Sequence, residues 1–281
     1  SVFIEQNQTI NNFSINKSWS ILSGIEQRLK YKIEEAGVPL RDWNIQINYG
    51  IKTGFNEAFI ISGEKKDELI AEDTKSAEII RPILRGRDIK RYGYDFADLW
   101  LINTHNGVVN KGIQGVDVNK FPAIKTHLDN YFSELQKRYD KGDTPYNLRS
   151  CDYMDDFNKQ KIVWGNLNLS ASYCLAEAGM YVNAPCPMIV PANKFLLAIL
   201  NSKLADYYIR SLGVTRNGGY FEYKPMFVEQ LPVPKLTLEE QEPFAELATM
   251  PTRENQCEID LLVYRLYSLS DDEIAFINDT A

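Results

Sequence analysis

Residues 81–94 have the sequence Arg81-Pro-Ile-Leu-Arg-Gly-Arg-Asp-Ile-Lys-Arg-Tyr-Gly-Tyr94, which holds five cations and two tyrosines but a single acid. Lysine and arginine neutralise nucleic-acid phosphates, and a guanidinium group also forks onto guanine edges. Gly86 frees the backbone between Arg85 and Arg87, so both side chains can approach a surface closely. The stretch predicts a basic strand that contacts DNA, and an exposed basic turn without a partner is the alternative.

A second candidate contact lies at residues 212–221, where Asn217-Gly-Gly predicts a tight turn directly after a helix. This turn would project Thr215, Arg216 and Asn217 as a loop tip, with Tyr220 beside them. Arg and Asn are the side chains best shaped for paired hydrogen bonds to guanine and adenine edges. A plain hairpin turn is the simpler interpretation of the same residues.

A third candidate is the segment Trp164-Gly-Asn-Leu-Asn-Leu-Ser170, which contains Asn166 and Asn168. Asparagine and serine at an exposed strand end would suit contacts with base edges or sugars. The same residues are equally typical of an ordinary strand and turn with a tryptophan in the core.

Hydrophobic periodicity and turn residues around these segments predict short strands mixed with longer helices. Helical spacing covers 18–36, 122–138 and 194–212, and capping boxes at Thr237–Glu240 and Ser270–Glu273 begin helices near the C-terminus. Strand-like runs cover 43–49, 58–62, 99–103, 161–165, 171–175 and 187–190. The predicted fold class is therefore α+β, with mixed strands and helices in the body and a small C-terminal helical tail after the proline-rich boundary Leu231–Pro234.

The charge distribution is asymmetric along the chain. The net charge is −7, but residues 236–281 contain eleven acidic residues against two arginines, a net of −9, which leaves residues 1–235 at +2. This asymmetry favours a basic face for a polyanion on the body, with the acidic tail packed away from it. Two ordinary solvated surfaces are the alternative.

Composition also limits the cellular context and the chance of a metal site. No apolar run approaches the roughly 20 residues that cross a bilayer, and the first residues lack a secretion-signal pattern, so we expect a cytoplasmic protein without membrane contact. The cysteines have no Cys-x-x-Cys spacing, which predicts buried free thiols rather than a zinc site; they are Cys151, Cys174, Cys186 and Cys257.

Common catalytic motifs are missing from the sequence. It contains no Gly-x-Gly, no phosphate-binding loop, no Gly-x-Ser-x-Gly and no Pro-Pro dipeptide. Two stretches resemble the Glu-x-Lys half of a metal-dependent nuclease, namely Glu64-Lys-Lys66 and Glu222-Tyr-Lys224, with Asp42 or Asp206 as upstream carboxylates. Because such short patterns recur by chance, Glu64 more simply belongs to a solvated turn and Tyr223 to the core.

Several segments, taken in order, resemble the TaqI-type C-terminal specificity domain of restriction-modification enzymes. The block Gly50-Ile-Lys-Thr-Gly-Phe-Asn-Glu-Ala-Phe-Ile-Ile61 is similar to the opening of that domain, and Arg81–Tyr92 is similar to its next block. Further similar blocks follow in the family's order at Phe121–Leu128, Pro145–Leu148, Lys161–Gly165, Leu196–Leu204, Phe227–Lys235 and Glu258–Ser270. The last of these resembles the closing helix of type IIG enzymes, and the ordered set covers nearly the whole chain.

The resemblance implies a target recognition domain that binds a double-stranded DNA site. It also implies three regions. Residues 1–40 would be a helical lead-in from the missing catalytic part of the enzyme, residues 41–235 the target recognition domain and residues 236–281 an acidic helical tail. The parent would be an adenine-specific DNA methyltransferase, with or without a fused endonuclease, that uses S-adenosylmethionine and Mg²⁺ and flips its target base. This chain would hold no cofactor and no catalytic residue itself, and its partners would be DNA and its own upstream domains.

Roles for individual residues follow as expectations. Arg85, Arg87, Lys90 and Arg91 would hold phosphates, and Lys52, Thr53 and Asn56 would form a supporting contact. The residues expected to contact bases or to lie beside them are Asn166, Asn168, Thr215, Arg216, Asn217 and Tyr220. Three alternatives stay open: a type I specificity subunit, a metal-dependent nuclease that uses Glu64 or Glu222, and a protein-interaction domain without a DNA role.

Overall fold

The computed structural model describes residues 22–280. The part of the predicted first helix at 18–21 lies outside these residues. Eleven helices lie within them: α1 (Gly24–Ala36), α2 (Asn56–Phe59), α3 (Gly63–Glu72), α4 (Pro122–Asp129), α5 (Phe132–Lys137), α6 (Lys194–Leu200), α7 (Lys203–Leu212), α8 (Pro225–Val228), α9 (Leu238–Thr249), α10 (Arg253–Leu266) and α11 (Asp271–Thr280). None of these helices is both long and apolar enough to span a bilayer.

The strands between the helices are short. They are β1 (Val38–Pro39), β2 (Gln46–Tyr49), β3 (Ile60–Ser62), β4 (Ile80–Leu84), β5 (Ile89–Lys90), β6 (Gly93–Tyr94), β7 (Leu99–Ile102), β8 (Gly107–Val108), β9 (Ile113–Gln114), β10 (Lys161–Trp164), β11 (Leu167–Asn168), β12 (Tyr173–Ala176), β13 (Tyr181–Val182), β14 (Pro187–Val190), β15 (Phe221–Glu222) and β16 (Pro232–Val233). Mixed strands and helices confirm the predicted α+β class.

Two four-stranded sheets form the centre of the body. One has the order β12-β10-β14-β2 and is antiparallel throughout, and the other has the order β13-β4-β7-β3 with a parallel β13–β4 pair. Two-stranded pairs are formed by β1 with β16, β5 with β6, β8 with β9, and β11 with β15. The pairings between distant segments bring the ends of β4, β10 and β13 to one side of the body.

The antiparallel sheet separates two hydrophobic cores. Side chains alternate along a strand, so Ile162 and Trp164 of β10 pack in one core while Val163 packs in the other. In β14 the same alternation sends Ile189 to the first core and Met188 to the second. The body is therefore built around one sheet that is buried on both faces.

The acidic tail packs on helices α6 and α7 and completes the first core. The ring of Phe244 in α9 meets Phe195 of α6 edge-on, with centroids 5.2 Å apart. Asp260 of α10 accepts a hydrogen bond from the backbone N–H of Lys203 at 2.8 Å, and Glu273 of α11 pairs with Lys32 of α1 at 2.7 Å. The tail thus uses some of its carboxylates internally, to attach itself to the body and to α1.

Several predicted elements differ from those observed, for local reasons. The predicted helices at 122–138 and 194–212 are each divided in two, the second at Asn201, whose side-chain amide hydrogen-bonds the backbone of Tyr173 in both directions. The expected turn around Glu64 is wrong, because Ser62 caps the N-terminus of helix α3 there and Leu69 is buried. The free thiols are confirmed, but only Cys174 and Cys186 are buried, whereas Cys151 is partly buried and Cys257 is exposed.

Lys161 gives the fold an expected pH dependence. The side chain is 0% exposed, its Nζ donates to the carbonyls of Glu177 and Met180 at 2.9 and 3.0 Å, and burial lowers its pKa to about 8. An unfolded lysine titrates near pH ~10.4, so between these values the unfolded chain binds the extra proton. The destabilising buried charge is present in full below pH ~8 and is relieved as pH rises.

We therefore expect the free energy of unfolding to rise by about 2 kcal/mol from pH 8 to pH 10 relative to Lys161→Met. Urea denaturation of both proteins at the two pH values measures this difference, and the comparison cancels the titration of tyrosines and cysteines. Equal changes in both proteins would show that Lys161 is not the group responsible.

Candidate nucleic-acid interface

An open cleft of about 560 Å³ collects residues from three distant segments, and we call it cleft A. One wall is the turn that follows β4, the second is the segment that follows β10, and the third is the connection between β13 and β14. The lining residues are Gly86, Arg87, Ile89, Lys90, Gly165–Ser170, Ser172, Asn183–Cys186 and Tyr220. Two of the three segments singled out from the sequence therefore form walls of one cleft, and Tyr220 adds a residue of the third.

Arg87 and Lys90 supply the positive charge of cleft A. Arg87 is exposed on the turn before β5, and its guanidinium forms no ion pair or hydrogen bond within residues 22–280. The Lys90 Nζ donates to the Arg87 carbonyl at 2.8 Å and lies 3.9 Å from Asp95 Oδ2, with 54% of its side chain exposed. No carboxylate of residues 22–280 lines the cleft, so Arg87 is available to an incoming anion, and Lys90 shares its charge with Asp95.

Arg85 and Arg91 are occupied by contacts within the protein. Arg85 donates to both carboxylate oxygens of Asp88, at 2.9 and 3.0 Å. Burial of Asp88 opposes its ionised form, but the hydrogen bonds from Arg85 hold the pKa of that carboxyl below its usual value. Arg91 Nε donates to the Ala171 carbonyl at 3.0 Å. Neither arginine lines cleft A, and both instead hold the β5–β6 hairpin and its preceding turn in place.

Two asparagine amides lie in the wall that follows β10. Asn168 Nδ2 donates to the Gly165 carbonyl at 2.9 Å, which fixes the amide plane. The backbone carbonyl of Asn166 accepts from the Tyr223 N–H at 2.9 Å, whereas its side-chain Oδ1 is buried and has no hydrogen-bond partner in residues 22–280. Both residues line the cleft wall that faces the cations, but the Asn166 amide oxygen itself is buried.

The loop at 213–220 is attached to this wall by the β11–β15 pair, in which Asn168 faces Phe221. The predicted turn is confirmed, since Asn217–Gly219 form a helical turn and Gly218 and Gly219 both have a φ of +78°, a conformation that favours glycine. Four candidate residues are exposed on the loop, and of these only Tyr220 lines cleft A; they are Thr215, Arg216, Asn217 and Tyr220.

Glu222 braces the same loop. Its carboxylate is 4% exposed and accepts from Arg216 Nε at 2.7 Å, and Lys224 Nζ lies 3.0 Å away. Hydrogen bonds from Lys224 and Arg216 hold the pKa of Glu222 below its usual value. Glu222 thus holds the Arg216 guanidinium through Nε and Nη2, while more than half of the Arg216 side chain stays exposed.

The other carboxylates of the nuclease hypothesis lie apart from Glu222 or are committed elsewhere. Asp206 is buried and accepts from the Tyr223 hydroxyl and from the Ala171 N–H. Glu64 is exposed near the start of α3. Residues 22–280 contain no group of three or more His, Cys, Asp or Glu side chains placed to hold a metal ion.

Lys52, Thr53 and Asn56 lie outside cleft A. Thr53 is 2% exposed and donates its hydroxyl hydrogen to Asn56 Oδ1 at 2.6 Å, so it shapes the loop before α2. Lys52 pairs with Asp140 at 2.9 Å. Sequence reasoning missed Ser172 of the cleft. It also missed Asn183 and Pro185, because long-range pairings such as the parallel β13–β4 pair bring the β13–β14 connection to the cleft, and the sequence carries no local signal for them.

Comparisons with known proteins agree on one type of domain. Among solved structures, the chain is similar to the type IIL restriction-modification enzyme MmeI, solved in complex with DNA, with a TM-score of 0.65 and 13% identity over 86% of this chain and 36% of that one. It is also similar to the type IIG restriction endonuclease BpuSI, with a TM-score of 0.55 and 13% identity over 92% of this chain and 32% of that one.

The chain thus spans about a third of the length of each of these enzymes, and the likeness shows the shared fold. A search of curated proteins finds no match to the sequence. Residues 81–233 match the TaqI-like C-terminal specificity domain, and this match includes every wall of cleft A and the loop at 213–220. Because the matched region is more than half of the chain, the protein belongs to the TaqI-like C-terminal specificity domain family.

Proposed function

We propose that the chain is a sequence-specific recognition module for double-stranded DNA. The observation that carries the proposal is cleft A, where Arg87 and Lys90 line one wall, two asparagines line another and none of the described lining residues is acidic. Cations hold phosphates whatever the sequence, whereas amide groups form paired hydrogen bonds with base edges. One cleft therefore combines a group that grips the backbone with a group that distinguishes bases.

We base the roles proposed for single residues on their exposure and on their contacts within the protein. Arg87 and Lys90 contact phosphates, while Asn166, Asn168, Arg216 and Asn217 contact bases. Arg85 and Arg91 position the hairpin instead of contacting DNA, because both are partly buried and bonded within the protein. Arg216 differs from them because 53% of its side chain stays exposed beside Glu222. Thr215 and Tyr220 contribute to the loop surface, and Lys52, Thr53 and Asn56 form a supporting region.

We further propose that this module serves a longer restriction-modification enzyme. The chain covers 36% and 32% of the two enzymes that share its fold. Methyl transfer from S-adenosylmethionine to adenine, and any Mg²⁺-dependent cleavage, would belong to domains outside the chain. Within the chain, residues 1–40 would connect to those domains and residues 41–235 would bind DNA. Residues 236–281 would stabilise the fold on a surface away from the DNA.

A salt titration with duplex DNA tests the proposal. The 281-residue chain is expected to bind duplex oligonucleotides with an affinity that falls steeply as salt rises, and to enrich one sequence from a randomised duplex pool. Arg216→Ala should relax the preference at one base pair while leaving the others intact. Salt-insensitive binding, or the complete absence of duplex binding, would contradict the proposal.

Gly165→Ala is expected to disturb base recognition without unfolding the protein. A Cβ atom at residue 165 would lie 2.7 Å from Asn168 Oδ1, so the amide of Asn168 must turn away and lose its hydrogen bond to the Gly165 carbonyl. We expect about tenfold weaker binding to the preferred site. The variant should also lose discrimination at one base pair, a free-energy difference of about 1–3 kcal/mol.

Gly93→Ala is the matched control outside the lining of cleft A. A Cβ atom at residue 93 would have no heavy atom within 4 Å. Both variants should show nearly unchanged thermal unfolding, and only Gly165→Ala should change site preference in the randomised pool. Equal behaviour of the two variants would exclude Asn168 from base recognition.

A further inference from the structure

A second cleft, cleft B, lies beside cleft A and shares a wall with it. Its volume is about 490 Å³, and it is lined by Tyr49–Lys52, Arg149–Tyr153 and residues 184–185. Ala184 and Pro185 line both clefts, so they form a ridge with one cleft on each side. Pro185 is exposed on this ridge.

Backbone hydrogen bonds hold the ridge rigidly between the two clefts. The Ala184 N–H donates to the Ile51 carbonyl at 2.9 Å, and the Gly50 N–H donates to the Cys186 carbonyl at 2.8 Å. On the other side, the Asn183 N–H donates to the Leu84 carbonyl at 2.8 Å, at the end of β4. The ridge is therefore tied both to the segment that carries Lys52 and to the strand that leads to Arg87.

Cleft B holds its own pair of cations. Asp140 receives Lys52 Nζ on one carboxylate oxygen at 2.9 Å and Arg149 Nη1 on the other at 3.1 Å. The carboxylate is 13% exposed, whereas the side chains of Lys52 and Arg149 are 56% and 59% exposed. Asp140 thus places the two cations side by side, and most of their hydrogen-bond donors still face solvent.

We propose that cleft B binds the phosphates of the second strand of the same duplex, with the ridge at residues 184–185 lying in the major groove between the two backbones. Arg87 and Lys90 hold one strand in cleft A, and Lys52 and Arg149 hold the other in cleft B. This proposal rests on the proposed function and adds Arg149 and the ridge to it. The major groove is about 12 Å wide, which accommodates a protruding backbone segment.

Asp152 provides a further test of the proposal, because it also lines cleft B and its negative charge would repel a bound phosphate. Removal of its charge should strengthen binding if a strand runs through the cleft, and should have little effect if DNA touches cleft A alone. Lys52→Ala and Arg149→Ala should each weaken binding about fivefold to tenfold and reduce the salt slope by about 0.9. Asp152→Asn should tighten it about twofold to fivefold.

Phosphate-ethylation interference on the 281-residue chain assigns each cleft to a strand. With either strand end-labelled, Arg149→Ala should remove interference from a phosphate of one strand, and Arg87→Ala should remove it from the other. Arg265→Ala is the matched control, since this exposed arginine of α10 lines neither cleft. Arg149→Gln removes the charge but keeps a long polar side chain, and a thermal melt of each variant shows whether it is folded. Together they distinguish a lost phosphate contact from a loss of binding caused by misfolding.

The possible outcomes distinguish a failure of the cleft B proposal from a failure of the proposed DNA-recognition function. Salt-sensitive binding that depends on Arg87, combined with unchanged slopes and ethylation patterns for the Lys52, Arg149 and Asp152 variants, would overturn the assignment of cleft B only. Interference on one strand alone would do the same. A wild-type chain without salt-sensitive duplex binding would overturn the proposed function as well.

Discussion

The double variant Arg87→Ala/Lys90→Ala is expected to lose about 50-fold to 100-fold in duplex affinity near 0.1 M salt. Each phosphate contact contributes about 0.9 to the slope of log affinity against log salt, so the slope should fall by about 2. Because phosphate contacts carry no sequence information, the loss should be the same for preferred and random duplexes. Fluorescence anisotropy at four or five salt concentrations measures both quantities.

The matched control removes the same charge from a different surface. Lys194→Ala/Arg265→Ala also deletes two exposed cations, one at the start of α6 and one in α10, and neither lines a cleft. We expect this variant to lose less than about threefold, because exposed charges more than a Debye length from the ligand are largely screened. A loss as large as that of the cleft variant would show that overall charge, and not cleft A, sets the affinity.

The sequence predicted the central strands well because their patterning is local. The apolar run at 161–165 became β10, and the run at 187–190 became β14 with the predicted ends. These strands are buried on both faces, so continuous apolar runs mark them clearly. The same logic placed Asn166 and Asn168 directly after β10, where the chain leaves the sheet.

Ion pairs and strand pairings between distant residues could not be predicted from the sequence. Arg85 and Arg87 look equivalent along the chain, yet the turn before β5 points Arg85 at Asp88 and leaves Arg87 exposed. Whether a cation is free depends on this geometry, and residue type alone does not set it. Arg149 went unnoticed for a related reason, since its partner Asp140 also holds Lys52, nearly ninety residues away along the chain.

Arg138→Met is expected to lower the free energy of unfolding by about 3–5 kcal/mol. The side chain is 7% exposed, and burial lowers its pKa to about 10. Its guanidinium lies 4.5 Å from the ring centroid of Phe59 and donates to four backbone carbonyls, those of Thr53, Asp140, Pro145 and Asn147. Methionine fills a similar volume but leaves these acceptors without a donor.

Urea denaturation followed by circular dichroism measures the loss, and two further variants show where it comes from. Arg138→Lys keeps the charge but not the planar fork, so it should recover only about a third of the lost stability. Arg41→Met removes an exposed arginine whose nearest carboxylate is 4.0 Å away, and it should change stability by less than about 0.5 kcal/mol. Since the carbonyls of Thr53 and Asp140 belong to the loops that carry Lys52 and Arg149, residual binding by Arg138→Met should lose the contribution of cleft B before that of cleft A. A variant within about 1 kcal/mol of the wild-type protein would mean that water satisfies the four carbonyls and that Arg138 does not organise these loops.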